Sequence, residues 1–290
     1  LPPMLRQLDT GAAALLIEVR GGDEAALERG VAAALAALQA FDTIEPARFS
    51  GDPAQCDIYW NVRKGIFPSV GAMRATGTTV IIEDVAFPLD SLAAATLDLQ
   101  ALLRQYAYHE AVIFGHALEG NLHFVFTQDF GQAQEVQRYH RLMEALCDLV
   151  VNKYHGSLKA EHGTGRNMAP FVELEWGREA TALMYRIKQS FDPAGLLNPG
   201  VILNDNPTAH LEHLKPLPSA SALVDKCIEC GFCEPKCPSH QLTLSPRQRI
   251  IAWREMSRRE LAGEAPGKLA EDYVYMGLGT CAGCSLCASA

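Results

Sequence analysis

No apolar run long enough to cross a membrane as a helix, roughly 18 residues, occurs anywhere in this 290-residue chain. There is no basic stripe either: 25 Lys and Arg stand against 34 Asp and Glu, and the formal charge of −9 excludes a nucleic-acid surface. No G-x-G-x-x-G follows a strand pattern, so the chain brings no dinucleotide cradle of its own. A signal peptide is missing, and so is an initiator Met. The opening Leu1-Pro2-Pro3 fits an internal fragment. Only 20% of residues are charged while 48% are hydrophobic, which excludes general disorder and supports packed cores in about two domains.

Cysteine, by contrast, is plentiful and unevenly spread. Seven of the nine fall in the last 64 residues, in two tight C-x-x-C-x-x-C groups. Such grouping points to metal ligation in a reducing, cytoplasmic setting rather than to disulfides. Cys56 and Cys147 stand alone in helix-like stretches and are expected to be inert buried thiols.

The order of elements is α+β. "AAALLIEVRG" (12–21) is expected as a buried strand, followed by a helix at 23–41 that Asp23 caps. A second helix is expected at 52–66 and a strand at 78–87, after which Pro88 opens a helix running to about 106. Two short β runs, "AVIFGHAL" and "NLHFVFTQ", precede helices at about 131–154 and 171–190, the latter stopped by "FDPAGLLNPG". The expected fold is an antiparallel sheet with helices on one face. Residues 1–203 form this domain, and 204–222, rich in Pro, Asn and Ser, form a linker. Residues 223–290 form a small cysteine-bearing domain with helical inserts, one starting at Ser245-Pro246.

"CIECGFCEPKCP" matches C-x₂-C-x₂-C-x₃-C-P at Cys227, Cys230, Cys233, Cys237 and Pro238. That spacing wraps three thiolates around one [4Fe–4S] cube and sends the fourth to a second cube. Structural zinc more often uses two separated C-x₂-C pairs. With crossed ligation, one cluster takes Cys227, Cys230 and Cys233 plus a fourth cysteine due at position 291, just past Ala290. The other takes Cys281, Cys284 and Cys287 plus Cys237, so it has its full ligand set in this chain and its neighbour lacks one.

"GHALEGNLH" (115–123) carries His116 and His123. A two-residue hairpin loop at Glu119-Gly120 would pair them directly, with Cβ atoms roughly 5 Å apart on one sheet face. Two imidazoles so placed can converge on one metal ion, or can be ordinary histidines on a half-exposed strand pair. "KAEHGTGRNM" (159–168) supplies Glu161, which would complete a His₂Glu set with an open position, and His162, a candidate general base. Taken alone, a Glu-His dipeptide is usually a surface feature. Arg63 in "YWNVRKG" can clamp a carboxylate or serve as a helix-surface charge.

In this order, "WNVR" at 60–63, "GHALEGNLH", "KAEHGTGRNM", "FDPAGLLNPG" and the cysteine runs resemble the C-terminal domain of FAD-linked oxidases of the vanillyl-alcohol-oxidase superfamily. The resemblance covers nearly the whole chain and points to the large D-lactate and other D-2-hydroxyacid dehydrogenases that fuse flavin and iron–sulfur modules. It implies that His116, His123 and Glu161 hold a divalent metal, zinc, that His162 takes the hydroxyl proton, and that Arg63 holds the substrate carboxylate. Hydride would pass to FAD and then, one electron at a time, through the 4Fe-4S clusters to a respiratory quinone or cytochrome. The cysteine domain resembles the α-helical ferredoxin domain of succinate dehydrogenase iron–sulfur subunits, in which the clusters are wires.

The same resemblance implies an FAD-binding domain upstream and a cysteine-rich domain downstream. The fragment alone would then be inactive, and the whole protein would be cytoplasmic, with the cytoplasmic membrane face as a site of peripheral association. In relatives acting on 2-hydroxyglutarate, Thr, Lys and Asn stand at the positions matching Phe67, Ile82 and Val125. Apolar residues there favour a small substrate such as D-lactate, with D-2-hydroxyglutarate as the alternative. Two further readings stay open. One is an electron-transfer subunit with no substrate site and no zinc; the other is a metallohydrolase tethered to a ferredoxin, active without flavin.

Overall fold

The computed structural model describes residues 11–163 and 165–289, so the opening Leu1-Pro2-Pro3 lies outside them. The chain forms two compact units, one ending at Phe67 and one beginning at Pro68.

The first unit is helical. Helix α1 (Glu24–Leu38) starts where Asp23 accepts the Ala26 N–H at 2.7 Å, the cap expected from the sequence. Helix α2 (Pro53–Lys64) has Pro at its first position and Asp52 as its cap. Residues 12–21 do not form the expected strand. The segment lies along α1 instead: a β-carbon at Gly30 would come within 2.7 Å of Val19 Cγ1. An apolar run needs a sheet edge to become a strand, and none is offered among the described residues of this unit. Leu15 accordingly stays 67% exposed. Cys56, on α2, is half-buried rather than buried, and its Sγ donates to the Ser50 carbonyl at 3.4 Å.

The second unit, which begins within α3 (Ile66–Met73), holds the sheet. Strands β1 (Thr79–Ala86), β2 (Val112–His116) and β3 (Asn121–Gln128) pair antiparallel in the order β1-β3-β2, so β3 is central. Helix α4 (Leu92–Gln105) links β1 to β2, and α5 (Ala133–Asp148) follows β3. Alternation along the strands sends Val85, Leu122, Phe124 and Phe126 to one face. There they pack with Leu99 and Leu103 of α4 and Leu142, Met143 and Leu146 of α5. Cys147 sits in this core as a buried thiol, pushed up by its burial. The hydroxyl of Tyr108 hydrogen-bonds Gln128, whose amide donates to the Asp129 and Glu135 carbonyls, so this buried polar group is satisfied.

The short helix α6 (Gly165–Met168) leads to α7 (Val172–Phe191), which Gly177 interrupts at φ 76°. The 204–222 stretch holds only one short turn, Ala209–Leu211. That turn anchors it: His210 is 2% exposed, and its Nε2 lies 3.0 Å from His140 Nδ1. Helix α8 (Pro246–Leu261) begins with a capping box between Ser245 and Gln248, and α9 (Lys268–Tyr273) follows. No helix among the described residues is long and apolar enough to cross a membrane.

Candidate functional site

The strand register puts a second set of side chains on the face away from α4 and α5. Asp84 on β1 and Phe114 on β2 both lie opposite His123 of central β3. The direct pairing expected for His116 and His123 does not occur: His116 is opposite Asn121. The loop is four residues, a 3-10 turn at Ala117–Glu119 closed by Gly120 at φ 66°. A two-residue turn of the hairpin kind would require Glu119 as well as Gly120 at positive φ, which a residue with a Cβ resists. Gly120 is fixed by more than its φ, because a β-carbon there would stand 2.1 Å from the Phe87 carbonyl oxygen. Since the shift is by an even number of residues, both histidines keep one face. Their rings meet edge to face with centroids 5.4 Å apart.

Glu161 arrives on the 160–163 turn, and Asp84 positions it. One Asp84 oxygen accepts the N–H groups of Ala160 at 3.1 Å, Glu161 at 2.7 Å and His162 at 3.2 Å. Burial pushes the Asp84 carboxyl upward, but the Glu161 N–H, the Lys159 ammonium and the His162 N–H outweigh it and hold the group below its usual range. Lys159 also pairs with Glu83 on the opposite strand face, where Asn167 donates to the second Glu83 oxygen at 2.8 Å.

So held, Glu161 Oε1 lies 2.9 Å from His123 Nε2 and 3.4 Å from His116 Nε2. A tetrahedral ion with bonds of about 2.0–2.1 Å separates its ligand atoms by about 3.4 Å, so this set fits a single divalent cation. His123 is buried and its basicity is lowered, by burial first and then by the neighbouring His162, which favours the neutral, metal-binding imidazole. His162 stacks on His123 at 4.9 Å, with its Nδ1 3.5 Å from Asp84 Oδ1. A pocket lined by Ala86, His116, Glu119, Asn121, Ala160 and Glu161 opens beside these groups. Ile82 faces Val125 across the strands of the same sheet face. Arg63 lies in the last turn of α2 in the first unit.

The seven grouped cysteines sit in the second unit. Cys237 is buried, Cys227 and Cys233 are half-buried, and Cys230, Cys281, Cys284 and Cys287 are exposed. Burial, together with the nearby Cys227, Cys230 and Cys287, raises the Cys233 thiol. Burial also pushes Cys237 upward, but hydrogen bonds from Ser239 and Arg249 outweigh it and favour the thiolate a cluster requires. The carbonyl of Cys227 accepts from Arg74 at 3.0 Å and from Arg254 at 2.7 Å. The donor set thus fits iron–sulfur ligation.

Sequence reasoning missed Asp84, Lys159 and Arg249. For Asp84 a signal existed: an acidic pair, Glu83-Asp84, interrupts the otherwise apolar "TTVIIEDVAF". Acid groups inside an apolar strand pattern, once buried, need partners.

Residues 4–202 match the family "FAD linked oxidases, C-terminal domain", and residues 223–290 match "4Fe-4S dicluster domain". The chain is similar to the glycolate oxidase subunit GlcD of Escherichia coli (strain K12), 30% identical over 163 residues that cover 56% of this chain and 31% of that protein. It is also similar to a D-2-hydroxyglutarate dehydrogenase of Xanthomonas citri pv. viticola, 31% identical over 205 residues, 67% of this chain and 41% of the relative. A mitochondrial D-lactate dehydrogenase [cytochrome] of Arabidopsis thaliana is 29% identical over 161 residues, 53% of this chain and 27% of the relative. In each case the matched stretch spans less than half of the relative's length. The α+β fold, the order of the motifs and the two matched regions agree: the chain belongs to the FAD-linked oxidase family through its C-terminal domain, followed by a 4Fe-4S dicluster domain.

Proposed function

We propose that this chain is the substrate-binding and electron-relay part of a flavin-dependent D-lactate dehydrogenase, divided into an oxidase domain at 1–203, a linker at 204–222 and a cluster domain at 223–290. The convergence of His116, His123 and Glu161 beside His162 carries this reading. A zinc ion held by the three would polarise the C2 hydroxyl, flavin would supply the hydride acceptor, and the 4Fe-4S clusters the one-electron relay. His162 accepts the hydroxyl proton at Nε2, because its Nδ1 faces the Asp84 carboxylate. Arg63 binds the substrate carboxylate through its guanidinium fork. The product is the 2-oxo acid. Cys227, Cys230 and Cys233 serve one cluster, and Cys237, Cys281, Cys284 and Cys287 the other.

The apolar pair Ile82 and Val125, on the face that carries His123, supports a substrate with a short apolar tail over one with a second carboxylate. Relatives named for glycolate, D-lactate and D-2-hydroxyglutarate frame the test. The protein expressed from its complete gene is assayed on each acid with a dye acceptor, and D-lactate should give the highest kcat/KM. A higher value on D-2-hydroxyglutarate moves the assignment to that substrate. No turnover of any of the three contradicts the reading.

A further inference from the structure

Two buried arginines stand five positions apart on α8, and their surroundings differ. Arg254, 3% exposed, meets the Glu229 carboxylate at 2.8 Å. Arg249, 8% exposed, has no carboxylate within ion-pair distance among the described residues. Its guanidinium is nonetheless engaged throughout. Nε donates to the Gly277 carbonyl at 2.8 Å, and Nη2 to the hydroxyls of Ser239 at 3.1 Å and Thr280 at 3.3 Å. Nη1 points at Cys237 Sγ from 3.6 Å, a hydrogen-bond distance for an acceptor as large as sulfur.

These contacts join both cysteine runs. Cys237 and Ser239 belong to the end of the first, while Gly277 and Thr280 lead directly into Cys281 of the second. A buried cation without an anion is costly. Among the groups its guanidinium hydrogen-bonds, the one able to supply negative charge is the Cys237 sulfur, which becomes a thiolate when it ligates iron. The Ser239 hydroxyl, 3.4 Å from the same sulfur, adds to the polar shell around it.

We propose that Arg249 is a positioning residue for the cluster that Cys237 shares with the second cysteine run: it holds Cys237 against that run, is the buried counter-charge to the cluster, and raises its reduction potential through the N–H···S bond. This rests on the reading that Cys237 is a cluster ligand. A donor to a ligand sulfur and a nearby positive charge both stabilise the more electron-rich, reduced cluster, so the potential rises. The device acts on one cluster only. On the other side, Arg74 and Arg254 address the Cys227 carbonyl rather than a sulfur.

The test is a redox titration followed by electron paramagnetic resonance, on anaerobically prepared protein from the complete gene, with iron content measured in parallel. In Arg249→Met one cluster's midpoint potential falls and the other's is unchanged. Arg249→Lys, which keeps the charge but not the fork, gives a smaller fall of the same cluster. Full iron content with both potentials unchanged in both variants overturns the proposal. Where iron is lost, selective loss of the cluster that Cys237→Ala removes supports the role, and loss of both together contradicts it. Cys237→Ala tests the premise separately: if it keeps both cluster signals, Cys237 is not a ligand, whatever the arginine variants do.

Discussion

The Asp84 carboxylate accepts the Glu161 backbone N–H at 2.7 Å, and through that bond a buried side chain of the edge strand β1 sets the position of a loop carboxylate. The same oxygen takes two neighbouring N–H groups, so the turn is organised around one anion. Asp84→Ala leaves three donors without their acceptor, at about 1–3 kcal/mol for each one that stays buried. The expected outcome is a metal affinity lowered about 10–100-fold, as for other groups that orient ligands, measured by competition with a chelator. Asp84→Asn should fall between the variant and the wild type. Unchanged affinity in Asp84→Ala would show that the turn holds itself.

Arg74 fastens the first cysteine run to the chain between α3 and β1. Its guanidinium donates to the carbonyls of Asp225 at 2.6 Å, Cys227 at 3.0 Å and Lys226 at 3.3 Å, while Ile228 fills the space that a side chain at Gly71 would need. Arg74→Met should cost about 2–3 kcal/mol, the scale of charged hydrogen bonds partly open to solvent. Amide hydrogen exchange at residues 225–228 should rise while that of β3 is unchanged. Equal protection in both proteins would mean that Arg254 alone suffices.

Acid should loosen the anchor at His210. Burial, with His140 adding to it, depresses His210 to about 4 from 6.5. Between these values the unfolded chain binds a proton that the folded one does not, so stability rises with pH through this window. The contribution is complete above about pH 6.5 and is lost as pH falls towards 4, a change of at most about 3 kcal/mol. Denaturant titrations of wild type and His210→Phe should therefore diverge in slope against pH across the window. Parallel curves would show that His210 titrates normally.

How much of this could be read from residues alone depended on the range of the interaction. The β-branched and aromatic runs "TTVIIEDVAF" and "NLHFVFTQ" mark β1 and β3 within a residue of their ends, and helical patterning marks α4 and α5, because those patterns are local. The run at 12–21 is also apolar but has no edge to pair with among the described residues of its unit, which no local pattern reveals. His116 and His123 could be assigned to one face, whereas their pairing could not, since it turned on whether Glu119 would accept positive φ. The spacing of "CIECGFCEPKCP" announced a cluster motif that the comparison with known families bears out. The acidic pair at Glu83-Asp84 marks Asp84 as a residue in need of partners, but those partners are not legible, because they lie 76–78 residues along the chain and are backbone N–H groups, which any residue supplies. Arg249 was hidden likewise, tied to a sulfur 12 residues away and a carbonyl 28 residues away.

Binding of a divalent cation by His116, His123 and Glu161 beside His162 is decided by metal content. Protein from the complete gene, stripped with chelator, reloaded and desalted, is analysed for zinc and iron by mass spectrometry. About one zinc per chain is expected in the wild type, with zinc lost but iron retained in His123→Ala and Glu161→Ala, and with both zinc and iron retained in His162→Ala, which loses turnover. A wild type without zinc or another divalent ion beyond its cluster iron, or variants that bind as much as the wild type, would contradict it.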